Sequence, residues 1–143
     1  MEYAIELKGI SKRFGTLFAN KNVNLQLKKG EILALLGENG SGKTTLMNML
    51  SGIYMPDSGS IIMDGKKVSI SSPEDSAKLG IGMVHQHFKL IERFTALDNI
   101  RIGLRNEKGL FLKKDTKDLV IKMAEKFGFD IDPDKLVSNM SVS

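Results

Sequence analysis

The chain contains no cysteine and no tryptophan, and only three prolines and two histidines among 143 residues. Without cysteine there is neither a disulfide framework nor a thiolate metal site, and a reducing compartment is the natural setting. Its apolar runs reach about six residues against the roughly 20 that a membrane-spanning helix needs. The start, Met1-Glu2-Tyr3, has neither the charged nor the apolar region of a signal peptide. Any contact with a membrane is therefore expected through a partner. The two histidines, His85 and His87, would share one face of an extended segment, but no third ligand accompanies them and a metal centre is not expected there. Internal repeats and low-complexity segments are lacking too. The formal charge of +4 comes from lysines spread along the chain, which describes a solvated basic surface and no nucleic-acid partner. What remains is an ordinary globular composition, 41% hydrophobic and 27% charged with 14 glycines, enough to bury one sizeable core.

The most informative stretch is Gly37-Glu38-Asn39-Gly40-Ser41-Gly42-Lys43-Thr44, which fits the pattern GxxxxGK[ST]. It lies directly after the apolar run Ile32-Leu33-Ala34-Leu35-Leu36 and directly before the helical Thr45-Leu46-Met47-Asn48-Met49-Leu50, the strand–loop–helix context the pattern requires. Glycines at 37, 40 and 42 let the backbone take positive φ and approach an anion, so that the N–H groups of 37–45 converge on one concavity. A helix beginning near Lys43 adds its N-terminal dipole. The Lys43 ammonium is the point charge for β- and γ-phosphates, and the Thr44 hydroxyl can ligate Mg²⁺. The expected ligand is a nucleoside triphosphate.

Around this loop the periodicities predict strands at 4–7, at 23–27 with strict alternation, and at 32–36 as a buried run. Ser60 to Val68 reads as a hairpin turning at Asp64-Gly65. Ser72-Pro73-Glu74-Asp75 opens a helix that stops near Gly80, followed by a buried strand at 81–84. Thr95 caps a helix towards Leu104. A longer amphipathic helix starts at Asp115 or Thr116, carries Leu119, Val120, Met123, Ala124 and Phe127 as a packing stripe, and ends at Gly128. A last helix is predicted near 134–137.

Asn-Lys-x-Asp, the guanine-reading segment of GTPases, is missing. At the end of the strand 81–84 stands Gln86, whose amide oxygen can meet Mg²⁺ while its NH₂ meets an attacking water or the γ-phosphate. Here the sequence resembles the nucleotide-binding subunit of ABC transporters. The resemblance rests on Ser11-Lys12-Arg13-Phe14-Gly15 for the aromatic loop, Leu36 to Leu46 for the Walker A segment, Pro56-Asp57-Ser58-Gly59 and Asp64-Gly65 for the hairpin, and Gly82-Met83-Val84-His85-Gln86-His87-Phe88 for the glutamine loop. It covers nearly the whole chain in family order. The wording of 81–88 is most similar to the simple-sugar and nucleoside importer ATPases, which often hold two cassettes in one polypeptide.

The resemblance implies an α/β fold of the phosphate-loop NTPase type, with an antiparallel β portion and the start of a helical subdomain. It divides the chain into a nucleotide-binding core with its β portion (1–93) and the beginning of that subdomain (94–143). It further implies ATP and Mg²⁺ as ligands, adenine stacking on Phe14, Mg²⁺ at Thr44 and Gln86, and ATP hydrolysis that powers import of a small solute. The implied partners are transmembrane permease subunits and a second ATPase domain, as a dimer or tandem cassette, on the cytoplasmic face of the membrane. Departures matter as well. The family carries four apolar residues followed by Asp-Glu, and then a switch histidine; Ile61-Ile62-Met63-Asp64 runs into Gly65 and Phe127-Gly128-Phe129-Asp130 is interrupted by glycine. Asn139-Met140-Ser141-Val142-Ser143 resembles only the opening of the signature loop, and Glu92 stands where proline is frequent. The chain is accordingly read as the truncated N-terminal part of one ABC ATPase domain, expected to be inactive alone and to self-associate. Two alternatives stay open: a non-transport ABC protein of DNA repair or translation, and a nucleotide-binding module without turnover.

Overall fold

The computed structural model describes residues 3–85, 90–106, 109–110 and 113–140. The chain divides into two compact units, Met1–Val84 and His85–Ser143.

The first unit is built on an antiparallel sheet of order β2-β1-β3-β4: β1 (Tyr3–Phe14), β2 (Leu17–Lys28), β3 (Ser58–Met63) and β4 (Lys66–Val68). β1 and β2 form a long hairpin whose register shifts at four places, two of them bulges that flank Ile10. Leu7 faces Leu25 but Ile10 faces Val23, so β1 carries one extra residue, absorbed at Gly9 with φ 63°. Lys12 then faces Asn20, so β2 carries one extra residue in turn, absorbed at Asn22 with φ 51°. The first bulge allows Leu7 and Ile10, three residues apart, to face the same side; both are buried. Against them packs α1 (Lys43–Leu50) through Leu46 and Met49, which share one helix face. Ile61 of β3 and Ile70 complete this core; each such aliphatic side chain contributes about 1.5–3 kcal/mol of burial. The expected hairpin turn falls on Asp64 and Gly65, both at positive φ. α2 (Pro73–Lys78) opens as predicted, with the Ser72 hydroxyl accepting from the Asp75 N–H at 3.1 Å, and Ser76, buried, donates to the Leu50 carbonyl at 2.8 Å to hold α2 against the end of α1.

Two sequence expectations fail in this unit. Segments 32–36 and 81–84 are not strands, and they are largely uncovered: Ile32 is 98%, Leu36 89% and Val84 90% exposed. A continuous apolar run becomes a buried strand only when neighbouring strands complete its ladder and cover both faces. No described residue pairs with either segment.

In the second unit, α3 (Ala96–Gly103) is capped by Thr95, whose hydroxyl accepts from the Asp98 N–H at 3.1 Å, and Leu97 is fully buried. Two short strands, β5 (Arg105–Asn106) and β6 (Gly109–Leu110), precede α4 (Lys113–Phe127), which ends at Gly128 with φ 71°. The predicted helix at 134–137 is instead a turn at Pro133-Asp134, a single bridge from Leu136 to Thr95, and one 3-10 turn, Val137–Asn139. Its carbonyls are committed elsewhere: those of Lys135 and Pro133 accept from Ala96 and Leu97, the otherwise unpaired first amides of α3. The packing stripe of α4 is also only half right. Thr116 and Ala124 are buried, whereas Leu119, Met123 and Phe127 face solvent.

Candidate functional site

Residues 37–42 form the loop between the segment 32–36 and α1, and the loop is closed by its own lysine. Lys43 Nζ donates to the carbonyls of Gly37 and Glu38, both at 2.7 Å, and to the Ser41 hydroxyl at 3.2 Å. An ammonium has three donors, and all three point back into the turn. Ser41 N–H closes the loop onto the Glu38 carbonyl at 3.2 Å. Gly37, Glu38, Asn39, Gly40, Ser41, Gly42 and Lys43 are thus brought into one ring, with Thr44 exposed and Thr45 half-buried on the first turn of α1. α1 receives no side-chain cap, and its first turn contains no acid. Its unpaired N-terminal amides and the positive end of its dipole therefore open onto the loop, an arrangement made for an anion.

Within the loop the strongest steric demand falls on Gly42, at the N-terminal boundary of α1 with φ 90°. A Cβ there would lie 2.2 Å from the Ala19 carbonyl oxygen and 2.8 Å from Asn20 Nδ2. Only glycine permits both the left-handed backbone and this approach to β2.

Phe14 is the last residue of β1, paired with Leu17 across the turn, and is 42% exposed. One flank meets the edge of Tyr54, with centroids 5.2 Å apart and planes inclined by 72°, and the Lys12 ammonium lies 5.7 Å from its centroid. It is no member of the buried core. Sequence reasoning placed Phe14 in a turn but missed the two residues that set its surroundings, Tyr54 and Asp57. Asp57 Oδ1 pairs with Lys12 Nζ at 2.9 Å, its Oδ2 accepts the Arg13 N–H at 2.7 Å, and its own N–H donates to the Ser11 carbonyl at 2.9 Å. The segment after α1 is thereby fastened to the end of β1. The signal was present in Pro56-Asp57-Ser58-Gly59, an acid in a turn with two basic residues at 12 and 13, but the pairing is non-local.

The hydrogen bond from Lys12 and then that from the Arg13 amide hold the Asp57 carboxyl below its ordinary value of 3.8. A lowered folded-state pKa stabilises above the unfolded value and loses that contribution as pH falls through the folded one. Asp57→Asn should therefore flatten the dependence of melting temperature on pH below about 4 relative to the native protein. Asp75, also lowered, by Ser71, serves as the internal control that keeps titrating. Superimposable pH profiles for the two proteins would remove Asp57 from this account.

Gln86, assigned to Mg²⁺ and the γ-phosphate, lies outside the described residues, as do Phe88 and the 141–143 end of the signature-like segment. Among the described residues no cluster of His, Cys, Asp or Glu could by itself hold a metal. Mg²⁺ commonly binds through phosphate oxygens, waters and one or two protein oxygens, and the exposed Thr44 hydroxyl is suited to that role.

Comparison with known proteins gives this geometry a family. The sequence is 49% identical over 142 residues to a nucleoside import ATP-binding protein of Lactococcus lactis subsp. cremoris and 48% identical to a guanosine import ATP-binding protein of Bacillus subtilis. A ribose import ATP-binding protein of Caldanaerobacter subterraneus is 43% identical. Each alignment covers 99% of this chain but only 28–29% of the relative, so the chain spans less than a third of their length. An ATP-binding cassette of an ABC transporter superposes with a TM-score of 0.83 at 25% identity, over 99% of this chain and 60% of that one; a nucleotide-free cassette gives 0.79 at 25%. The sequence profile described as "ABC transporter" matches residues 20–143, and with the glycine loop and the helix that follows it in place the chain belongs to the ABC transporter family.

Proposed function

We propose that residues 37–45 bind the phosphates of ATP, with Mg²⁺ at Thr44 and Gln86 and the adenine stacked on Phe14, and that the whole protein hydrolyses ATP to drive import of a sugar or nucleoside. The observation that carries this reading is the Lys43 ammonium held by the Gly37 and Glu38 carbonyls at the mouth of an uncapped helix. A polyphosphate offers that ammonium more strongly charged acceptors while the loop amides and the α1 dipole face the same charge. Gln86 senses the γ-phosphate, and Glu38, Asn39, Gly40 and Ser41 contribute backbone donors. Hydrolysis also needs an oriented nucleophile and charge stabilisation at the transferred group, and this chain has no Asp-Glu pair after four apolar residues. The 143 residues are the N-terminal part of one ATPase domain, with 1–93 its nucleotide-binding core and 94–143 the start of its helical subdomain.

The functions of the relatives support the importer reading, and within it the nucleoside class, since the nucleoside and guanosine importers reach higher identities than the ribose importer. The protein then works with permease subunits and a second ATPase domain on the cytoplasmic side of the membrane. No helix among the described residues is long and apolar enough to cross it.

Calorimetric titration of the full-length protein with MgATP and with tripolyphosphate tests the site. Both should bind, and Phe14→Ala should weaken MgATP by about 1–2 kcal/mol, the worth of one stacked base, and leave tripolyphosphate unchanged. GTP should suffer a similar loss, because every base has a π face. An equal loss for tripolyphosphate would assign Phe14 to packing.

A further inference from the structure

Asn20 is a polar residue in a place where packing alone would favour an apolar one. It lies on β2, is 8% exposed, and its Oδ1 has no hydrogen-bond partner among the described residues. A buried polar atom left without a partner is destabilising, so filling space does not account for the residue. Its other amide atom is engaged: Nδ2 donates to the Gly42 carbonyl at 3.3 Å. The same carbonyl accepts the first intrahelical bond of α1, from Leu46 N–H at 2.9 Å. Both lone pairs of the Gly42 oxygen are therefore used, and the peptide plane between Gly42 and Lys43 is fixed from the strand side and from the helix side.

That plane controls a donor. The peptide is trans, and planarity sets the Lys43 N–H antiparallel to the Gly42 carbonyl. The carbonyl points into α1, so the Lys43 N–H points out of the helix N-terminus into the loop. Nothing caps it from a side chain. We infer that Asn20 is a positioning residue of the phosphate loop, which locks the Gly42–Lys43 peptide so that the Lys43 amide is presented to a bound polyphosphate. This rests on the phosphate-binding reading of residues 37–45. Asn20 touches no phosphate; it acts through Gly42, whose lack of a Cβ is what lets β2 come within reach.

The test uses the full-length protein with Asn20→Ala and Asn20→Asp, titrated with tripolyphosphate and with MgATP well below their melting temperatures. Aspartate keeps the shape but turns an acceptor towards the Gly42 carbonyl. Asn20→Ala should weaken both ligands by the same factor, about tenfold, the equivalent of one well-made hydrogen bond. Asn20→Asp should weaken them further. The melting temperature of Asn20→Ala should not fall, since the unpartnered Oδ1 leaves together with the bond; a purely structural residue would lower it. Affinities within twofold of native in the alanine variant overturn the inference, and so does an affinity loss that accompanies a lowered melting temperature. If the native protein itself fails to bind tripolyphosphate, the phosphate-loop reading falls first and this inference with it. Should Asn20→Asp not fold, the alanine variant carries the test alone.

Discussion

Lys43→Ala in the full-length protein should reduce MgATP affinity by at least about a hundredfold, the equivalent of roughly 2.7 kcal/mol. Hydrogen bonds that involve a charged group are each worth roughly 1.5–3 kcal/mol net, and the ammonium can donate to more than one phosphate oxygen. The substitution acts twice. It removes the cation that the triphosphate would meet, and it also unties the Gly37 and Glu38 carbonyls and the Ser41 hydroxyl, the three acceptors that now hold the loop in a ring. Tripolyphosphate should lose affinity by a comparable factor, in contrast to Phe14→Ala. Calorimetry that finds nucleotide affinity unchanged would show the glycine loop to be a turn without a ligand.

A second large effect is expected of residues 1–143 prepared by themselves. With saturating ATP and Mg²⁺ they should release phosphate at the background rate, because the proposed cradle is not accompanied in the sequence by an Asp-Glu pair after four apolar residues to orient water. They should also associate. The backbone of 32–36 and 81–84 has no ladder partner among the described residues, and Ile32, Leu33, Leu35, Leu36 and Val84 lie open to solvent. Unpaired main-chain groups beside exposed aliphatic side chains are what strand exchange and edge-to-edge pairing consume. Sedimentation and a phosphate-release assay on one preparation address both halves. A clean monomer that turns over ATP would place the catalytic groups within this chain after all.

Much of this was legible because it is local. Gly42, Lys43 and the α1 start follow from a pattern spanning eight residues; Ser72 with Pro73, and Thr95 with Asp98, are caps that announce themselves within four. The Asp64-Gly65 turn needs only its own positive φ values. What escaped is non-local or phase-dependent. Strict alternation along β2 predicts the inward side from Val23, Leu25 and Leu27, and on that count Asn20 points outward. The bulge at Asn22 shifts the phase by one and turns Asn20 to the buried side. The strands predicted at 32–36 and 81–84 depended on partners that no local pattern specifies. The helix predicted at 134–137 yielded to the unpaired amides of α3, a demand arising some forty residues earlier. The fastening of the end of β1 through Asp57 joins residues 44 positions apart.

The lysine ring also has a consequence for selectivity. Because the ammonium is already bonded to three oxygens of the loop, ligand entry is an exchange reaction, and its free energy is the difference between two sets of partners. A small monovalent anion replaces one contact and leaves the others to be broken without return. A polydentate anion can substitute for all of them at once while engaging the surrounding amides. If the loop binds as proposed, the ring sets a threshold on the number of oxygens a ligand presents together, and chloride and inorganic phosphate should compete poorly with a triphosphate.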